Sequence, residues 1–253
     1  MDIMNILGDY LGLIFLIVFV VLMVVLAVIG QRFPARTLRE IPAFHRLRRA
    51  VGLAVEAGTR LHISIGRGNM VGMQTASALI GLTMLERIAR AASISDQPPV
   101  ATSGDGVLAI LTQDTLHKTY RNIGAESRYE LTSGRLTGVT PFSYAAGAMP
   151  IIREEQVSAN VLAGHFGSEV ALIAEAGERS GSLTIAGSDS LSAQAILFAA
   201  AQEPLIGEEL FAGGAYLGAG ALHAASLHTQ DILRWVLVLV MVIGAILKIA
   251  GVL

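Results

Sequence analysis

The side chains best placed for chemistry in this 253-residue chain lie in four short glycine-bearing stretches. These are Gly66-Arg67-Gly68-Asn69, Ser103-Gly104-Asp105, Gly164-His165-Phe166-Gly167 and Gly187-Ser188-Asp189. Each follows a short apolar run and precedes a helical one. Open parallel sheets hold ligands at that position, beyond the carboxyl ends of their strands. Backbone N–H groups at the following helix starts suit an anion. Arg67 adds a positive charge. His165 is the one histidine at such an exit, where it suits a general base or a phosphate partner oriented by Asp189 or Asp105. The ligand-binding candidates are therefore Gly66, Arg67, Gly68, Asn69, Ser103, Asp105, His165 and Asp189.

The first stretch invites comparison with nucleotide fingerprints. Gly66-x-Gly68-x-x-x-Gly72 follows a predicted strand and precedes a helix, as a dinucleotide motif should. Its third glycine falls one residue late, and no acidic residue closes the next strand to hold a ribose. No Lys-Ser/Thr pair makes it a P-loop. Tight strand-to-helix turns account for these glycines better than a nucleotide pocket does. Ser103, Ser168 and Ser188 lie near turns, but none sits in a G-x-S-x-G elbow, so acyl transfer is not indicated. His223 and His228 are five residues apart rather than the four that align two ligands on a helix face. No metal site, cofactor or catalytic residue is assigned, and the balance is against an enzyme.

These turns punctuate a repeated grammar. Strands are predicted at Leu61–Ile65, Pro99–Ser103, Leu136–Thr140, Ser158–Ala163, Ser182–Ala186 and Leu205–Ile206. Helices are predicted at Gln74–Ala92, Val107–Ile123, Ser143–Gln156, Ser168–Arg179 and from Ser190, placed as a cap, to Ala201; Gly124–Arg135 reads as a loop. Strands alternating with helices imply parallel pairing through right-handed crossovers. The fold class is α/β: a doubly wound, mostly parallel, Rossmann-like sheet.

Apolar segments flank that domain. Tyr10–Gly30 is long enough to cross the roughly 30 Å hydrocarbon core of a bilayer as a helix, and Trp235–Leu253 repeats the pattern around Lys248. They raise the mean hydropathy to +0.60. The N-terminal flank lacks the basic residues of a signal peptide, although Gly30 would pass at a cleavage site. Arg32, Arg36, Arg39, Arg46, Arg48 and Arg49 crowd the C-terminal side of the first segment. The positive-inside rule then puts the domain in the cytoplasm of a two-pass cell-membrane protein, with both termini outside. The predicted helix Pro42–Ala57 carries Arg46, Arg48 and Arg49 away from an apolar stripe of Phe44, Leu47, Val51 and Ala54. That basic side suits either anionic headgroups or an ordinary domain surface. The resulting division is an anchor at 1–31, a basic segment and helix at 32–58, the domain at 59–207, a Gly/Ala-rich helix at 208–231 and a second anchor at 232–253. A net charge of −2 argues against a nucleic-acid partner, and the absence of cysteine excludes disulfides and thiolate metal sites.

The stretch from Glu208 onward reads as one long helix in which Gly213, Gly214, Gly218 and Gly220 alternate with alanine. Gly214 and Gly218 have the spacing of a close helix–helix contact, which makes these four glycines candidates for an oligomer interface. Three segments, 60–66, 159–167 and 206–217, together resemble a family of bacterial membrane proteins known only as a domain of unknown function. The resemblance covers the domain and the second apolar segment, and implies no activity, cofactor or catalytic residue. The leading functional expectation is a non-enzymatic membrane-anchored protein that self-associates as a scaffold or serves as an accessory subunit of a membrane complex. The alternative is a membrane-tethered sensor or enzyme that binds a nucleotide-like or other anionic compound at the strand exits.

Overall fold

The computed structural model describes residues 3–32 and 38–250, with side chains from Tyr10 to Ile29 and from Leu38 onward. They divide into two compact units: the N-terminal segment with the chain from Gly218, and residues 40–217.

In the first unit α1 (Ile3–Arg32) packs along α9 (Ala221–Ile249). Tyr10–Ile29 and α9 are each long and apolar enough to cross a membrane. At 1.5 Å per residue, the 20 residues of Tyr10–Ile29 reach about 30 Å. Large apolar side chains such as Leu13, Phe15, Trp235 and Ile246 point outward along both helices.

The second unit is the α/β domain. It opens with α2 (Pro42–Ala57), whose proline takes the first turn and whose end is closed by Gly58 in the left-handed conformation. Leu47, Val51 and Ala54 bury the predicted stripe. Then follow β1 (Arg60–Gly66), α3 (Thr75–Ala91), β2 (Val100–Ser103), α4 (Gly106–Asn122), β3 (Gly134–Leu136), α5 (Pro141–Glu154) and β4 (Val157–His165). After these come α6 (Val170–Arg179), β5 (Leu183–Ser188), α7 (Leu191–Ala200), β6 (Glu203–Leu205) and α8 (Glu209–Tyr216). The strands form one parallel sheet in the order β3-β2-β1-β4-β5-β6. Alternation along β1 sends Leu61, Ile63 and Ile65 into a core with α2, α3, α4 and α8. The opposite face packs on α5, α6 and α7 through Tyr144, Ile173 and Leu197. The fold is therefore a doubly wound α/β sheet with two apolar helices at the chain's ends.

Three local expectations change. The third strand is Gly134–Leu136 rather than Leu136–Thr140, because Thr140 is the N-cap of α5 and its hydroxyl accepts the Ser143 N–H. Residues 137–140 thus lead into a helix, and the expected loop at 124–135 holds two short 3-10 turns and the start of β3. Ser190 stands at the start of α7, yet its hydroxyl bonds that of Ser192 instead of capping the helix. The long helix from Glu208 is two helices, broken where Gly218 and Gly220 take φ of +73° and +131°. Such backbone is costly for residues other than glycine, and it ends α8 before α9 begins.

The domain's two ends meet. The rings of Phe44 in α2 and Tyr216 in α8 stack at 4.9 Å, and the Arg48 guanidinium donates to the Tyr216 carbonyl.

Candidate functional site

In this strand order the crossovers diverge between β1 and β4, the position at whose carboxyl ends doubly wound folds have their crevice. Gly66 ends β1 beside His165 with φ +77°, and a Cβ there would lie 2.3 Å from the His165 carbonyl oxygen. The Arg67 N–H donates to that same carbonyl at 2.9 Å, and the Gly104 N–H donates to the Gly66 carbonyl at 2.9 Å. Main-chain bonds thus lace the exits of β1, β2 and β4 together.

Above that lacing, the Arg67 stem lies against Gly104, where a Cβ would fall 2.3 Å from its Cγ. The Arg67 Nε donates to Glu169 Oε1 at 2.9 Å. Glu169 is buried and also accepts the Gly167 N–H at 3.0 Å. Burial pushes its carboxyl upward, but the Gly167 N–H and Arg67 outweigh that and hold it below the ordinary carboxylate value. The two Nη groups of Arg67 make no hydrogen bond or ion pair among the described residues. A cation held by one nitrogen therefore keeps four N–H donors for a ligand at these strand exits.

His165 occupies the β4 side. Its Nδ1 lies 2.7 Å from Asp189 Oδ1, and its Nε2 lies 3.1 Å from the Gln74 amide nitrogen. Ser77 Oγ donates to the second Asp189 oxygen at 2.7 Å. In the neutral ring, an Nδ1 proton directed at Asp189 leaves Nε2 to accept from the Gln74 amide. In that tautomer a ligand that displaces the Gln74 amide would meet a proton acceptor at Nε2.

The structure brings Gly66, Arg67, Gly68, His165 and Asp189 together; a Cβ on Gly68 would touch the His165 Cβ at 3.2 Å. The remaining candidates shape turns. Asn69 Oδ1 accepts the Val71 N–H, Ser103 is buried with its hydroxyl on the Arg135 carbonyl, and Asp105 caps α4 by accepting the Leu108 N–H at 3.0 Å. Of the two proposed orienters of His165, Asp189 fills the role. Sequence reasoning passed over Gln74, Ser77, Glu169 and Tyr144. Glu169 had one visible signal, as an acidic residue two positions beyond the Gly167 turn.

Beneath the crevice, the sheet face toward α5 and α6 carries a buried polar strip. His62 bridges Asn160 Oδ1 at 2.7 Å and Thr102 Oγ1 at 2.9 Å. The buried Tyr144 hydroxyl bonds Ser64 and accepts the Gly66 N–H at 3.3 Å. Burial lowers the His62 pKa to about 4, against the opposing pull of its Asn160 bond, so the ring is neutral near neutral pH. The strip holds the β1 exit in place from below.

The other candidates are placed as follows. Gly213 and Gly214 are buried within the domain, and a Cβ on Gly213 would lie 2.8 Å from Met84 Sδ. The small size of Gly213 seats α8 on α3, while Gly218 and Gly220 make the break after α8. Arg46 pairs with Glu203 and Arg48 with the Tyr216 carbonyl; Arg39 and Arg49 are exposed. Arg36 and the Arg32 side chain lie outside the described residues. Among the described residues no cluster of three or more His, Asp or Glu side chains suits a metal ion.

A family model for a domain of unknown function, DUF6754, matches residues 4–253. The chain belongs to this family. The match takes in both apolar helices as well as the α/β domain. No curated protein and no solved structure matches the chain.

Proposed function

We propose that this chain is a membrane-tethered binding module that takes an anionic, nucleotide-like or phosphorylated compound at the β1/β4 exits. The observation that carries this reading is Arg67, fixed through Nε by a buried Glu169 at the exits of β1 and β2, with no partner on either Nη group among the described residues. The neighbouring His165–Asp189 pair adds a group that accepts or passes a proton. In this reading the two apolar helices cross a cell membrane and the domain is cytoplasmic, a topology supported by the arginines that follow the first helix.

Thermal-shift measurements on the detergent-solubilised chain, with nucleotides and sugar phosphates, test the reading. A bound ligand raises the melting temperature by mass action. The double variant Arg67→Met/Glu169→Gln removes the cation without stranding a buried carboxylate, and should abolish the rise. An equal rise in that variant, or no rise with any anionic compound, rejects the proposal.

A second reading is a self-associating scaffold or an accessory subunit of a membrane complex. It draws support from Val71, Met73 and Leu191, which stand 81%, 98% and 82% exposed in loops and helix starts beyond the strands. Apolar side chains in that position suit a protein partner. A strictly monomeric detergent particle with no co-purifying partner would reject it.

A further inference from the structure

A second unassigned site lies between α2 and α3. A cavity of about 300 Å³ at the amino end of the sheet has its arginines bonded to Glu155, but one of about 210 Å³ elsewhere does not follow that pattern. It is lined by Leu47, Arg48 and Val51 of α2, Arg87 and Ile88 of α3, and Leu217, and by no carboxylate. Arg87 is half-buried, its Nε is shielded from solvent with no hydrogen-bond partner, and its guanidinium forms no ion pair among the described residues. Arg48 is held at the same cavity by its bond to the Tyr216 carbonyl. A guanidinium withdrawn from water without an anion is costly, and native proteins rarely leave one so. Leu47, Val51 and Ile88 supply a buried apolar wall beside the two cations. A small inorganic anion would leave that wall uncovered.

The geometry points to a site for an anionic phospholipid, with the phosphate on Arg87 and Arg48 and the first acyl carbons against Leu47, Val51, Ile88 and Leu217. The position agrees with that source. The cavity is built from the domain's first helix and its last residue, the two points from which the chain continues toward the apolar helices. The inference rests on the membrane topology above but not on the strand-exit crevice.

The test uses the full chain in detergent, with phosphatidylglycerol, phosphatidylcholine and inorganic phosphate as separate probes. Native mass spectrometry and melting temperature are the readouts. Phosphatidylglycerol should stay bound and raise the melting temperature, while phosphatidylcholine and inorganic phosphate at equal concentration should do neither. Arg87→Met should weaken phosphatidylglycerol binding at least tenfold. Without lipid this variant should melt at or above the wild-type temperature, because an unpaired, half-buried charge has gone. The Arg67→Met/Glu169→Gln variant should bind the lipid as wild type does. Equal binding of the two lipids, an equal response to inorganic phosphate, or full phosphatidylglycerol binding by Arg87→Met overturns the assignment. Alkaline extraction of native membranes reads insertion separately, so failure of the topology and failure of the site are distinguishable.

Discussion

Arg60 enters β1 and Arg67 follows its last residue, one strand's length apart, yet their guanidinium groups meet opposite surroundings. Arg60 is closed on every side: it donates to Glu155 at 2.7 Å and twice to Gln97, with Glu130 nearby. Arg135 shares the same Glu155. Arg67 is gripped by one nitrogen, and the other two have no partner among the described residues. At the amino end the charge network ties loops to the sheet, whereas at the carboxyl end a single buried carboxylate holds a cation by one nitrogen. Doubly wound folds place ligands at the second kind of end.

The largest effect should come from breaking the pair at the carboxyl end. Arg67→Met alone leaves Glu169 buried without its cation, and denaturant titration should show a loss of about 3 to 5 kcal/mol. Adding Glu169→Gln should restore most of it, since a neutral pair carries no stranded charge. Next in size is an acid effect from the middle of the strand. The His62 pKa is lowered from 6.5 to about 4. Between those values the unfolded chain binds the extra proton, so stability is retained above pH 6.5 and falls as pH drops toward 4, by up to about 3 kcal/mol. His62→Gln should lose this part of the acid slope in stepped-pH melts. Glu169, held below the ordinary carboxylate value, weakens the fold only at lower pH. The smallest effect belongs to the amino end. Arg60→Met should cost about 1 to 2 kcal/mol, because Glu155 keeps Arg135, and should leave any ligand-induced melting shift unchanged.

Local signals made much of the fold legible. The apolar stripe, first-turn proline and terminal glycine marked α2 to the residue, and short apolar runs before glycine marked five of the six strands. What remained hidden depends on pairing between distant segments. Strand order is set by contacts such as Ile63 with Val161, which no local window contains. Arg67 and Glu169 are 102 residues apart, so the partner that fixes the candidate cation was invisible while the cation itself was not. The Gly/Ala-rich stretch divides into two helices for a reason that was hidden differently. Glycine spacing looks the same whether the residue admits a neighbouring helix, as Gly213 does with Met84, or turns the backbone, as Gly218 does at φ +73°.

The stacked rings of Phe44 and Tyr216 have a mechanical consequence. They join the first and last helices of the α/β unit, so fraying from either end must separate α2 from α8 before it reaches any strand. Opening of the first helix and opening of the last are thereby made a single event within the α/β unit.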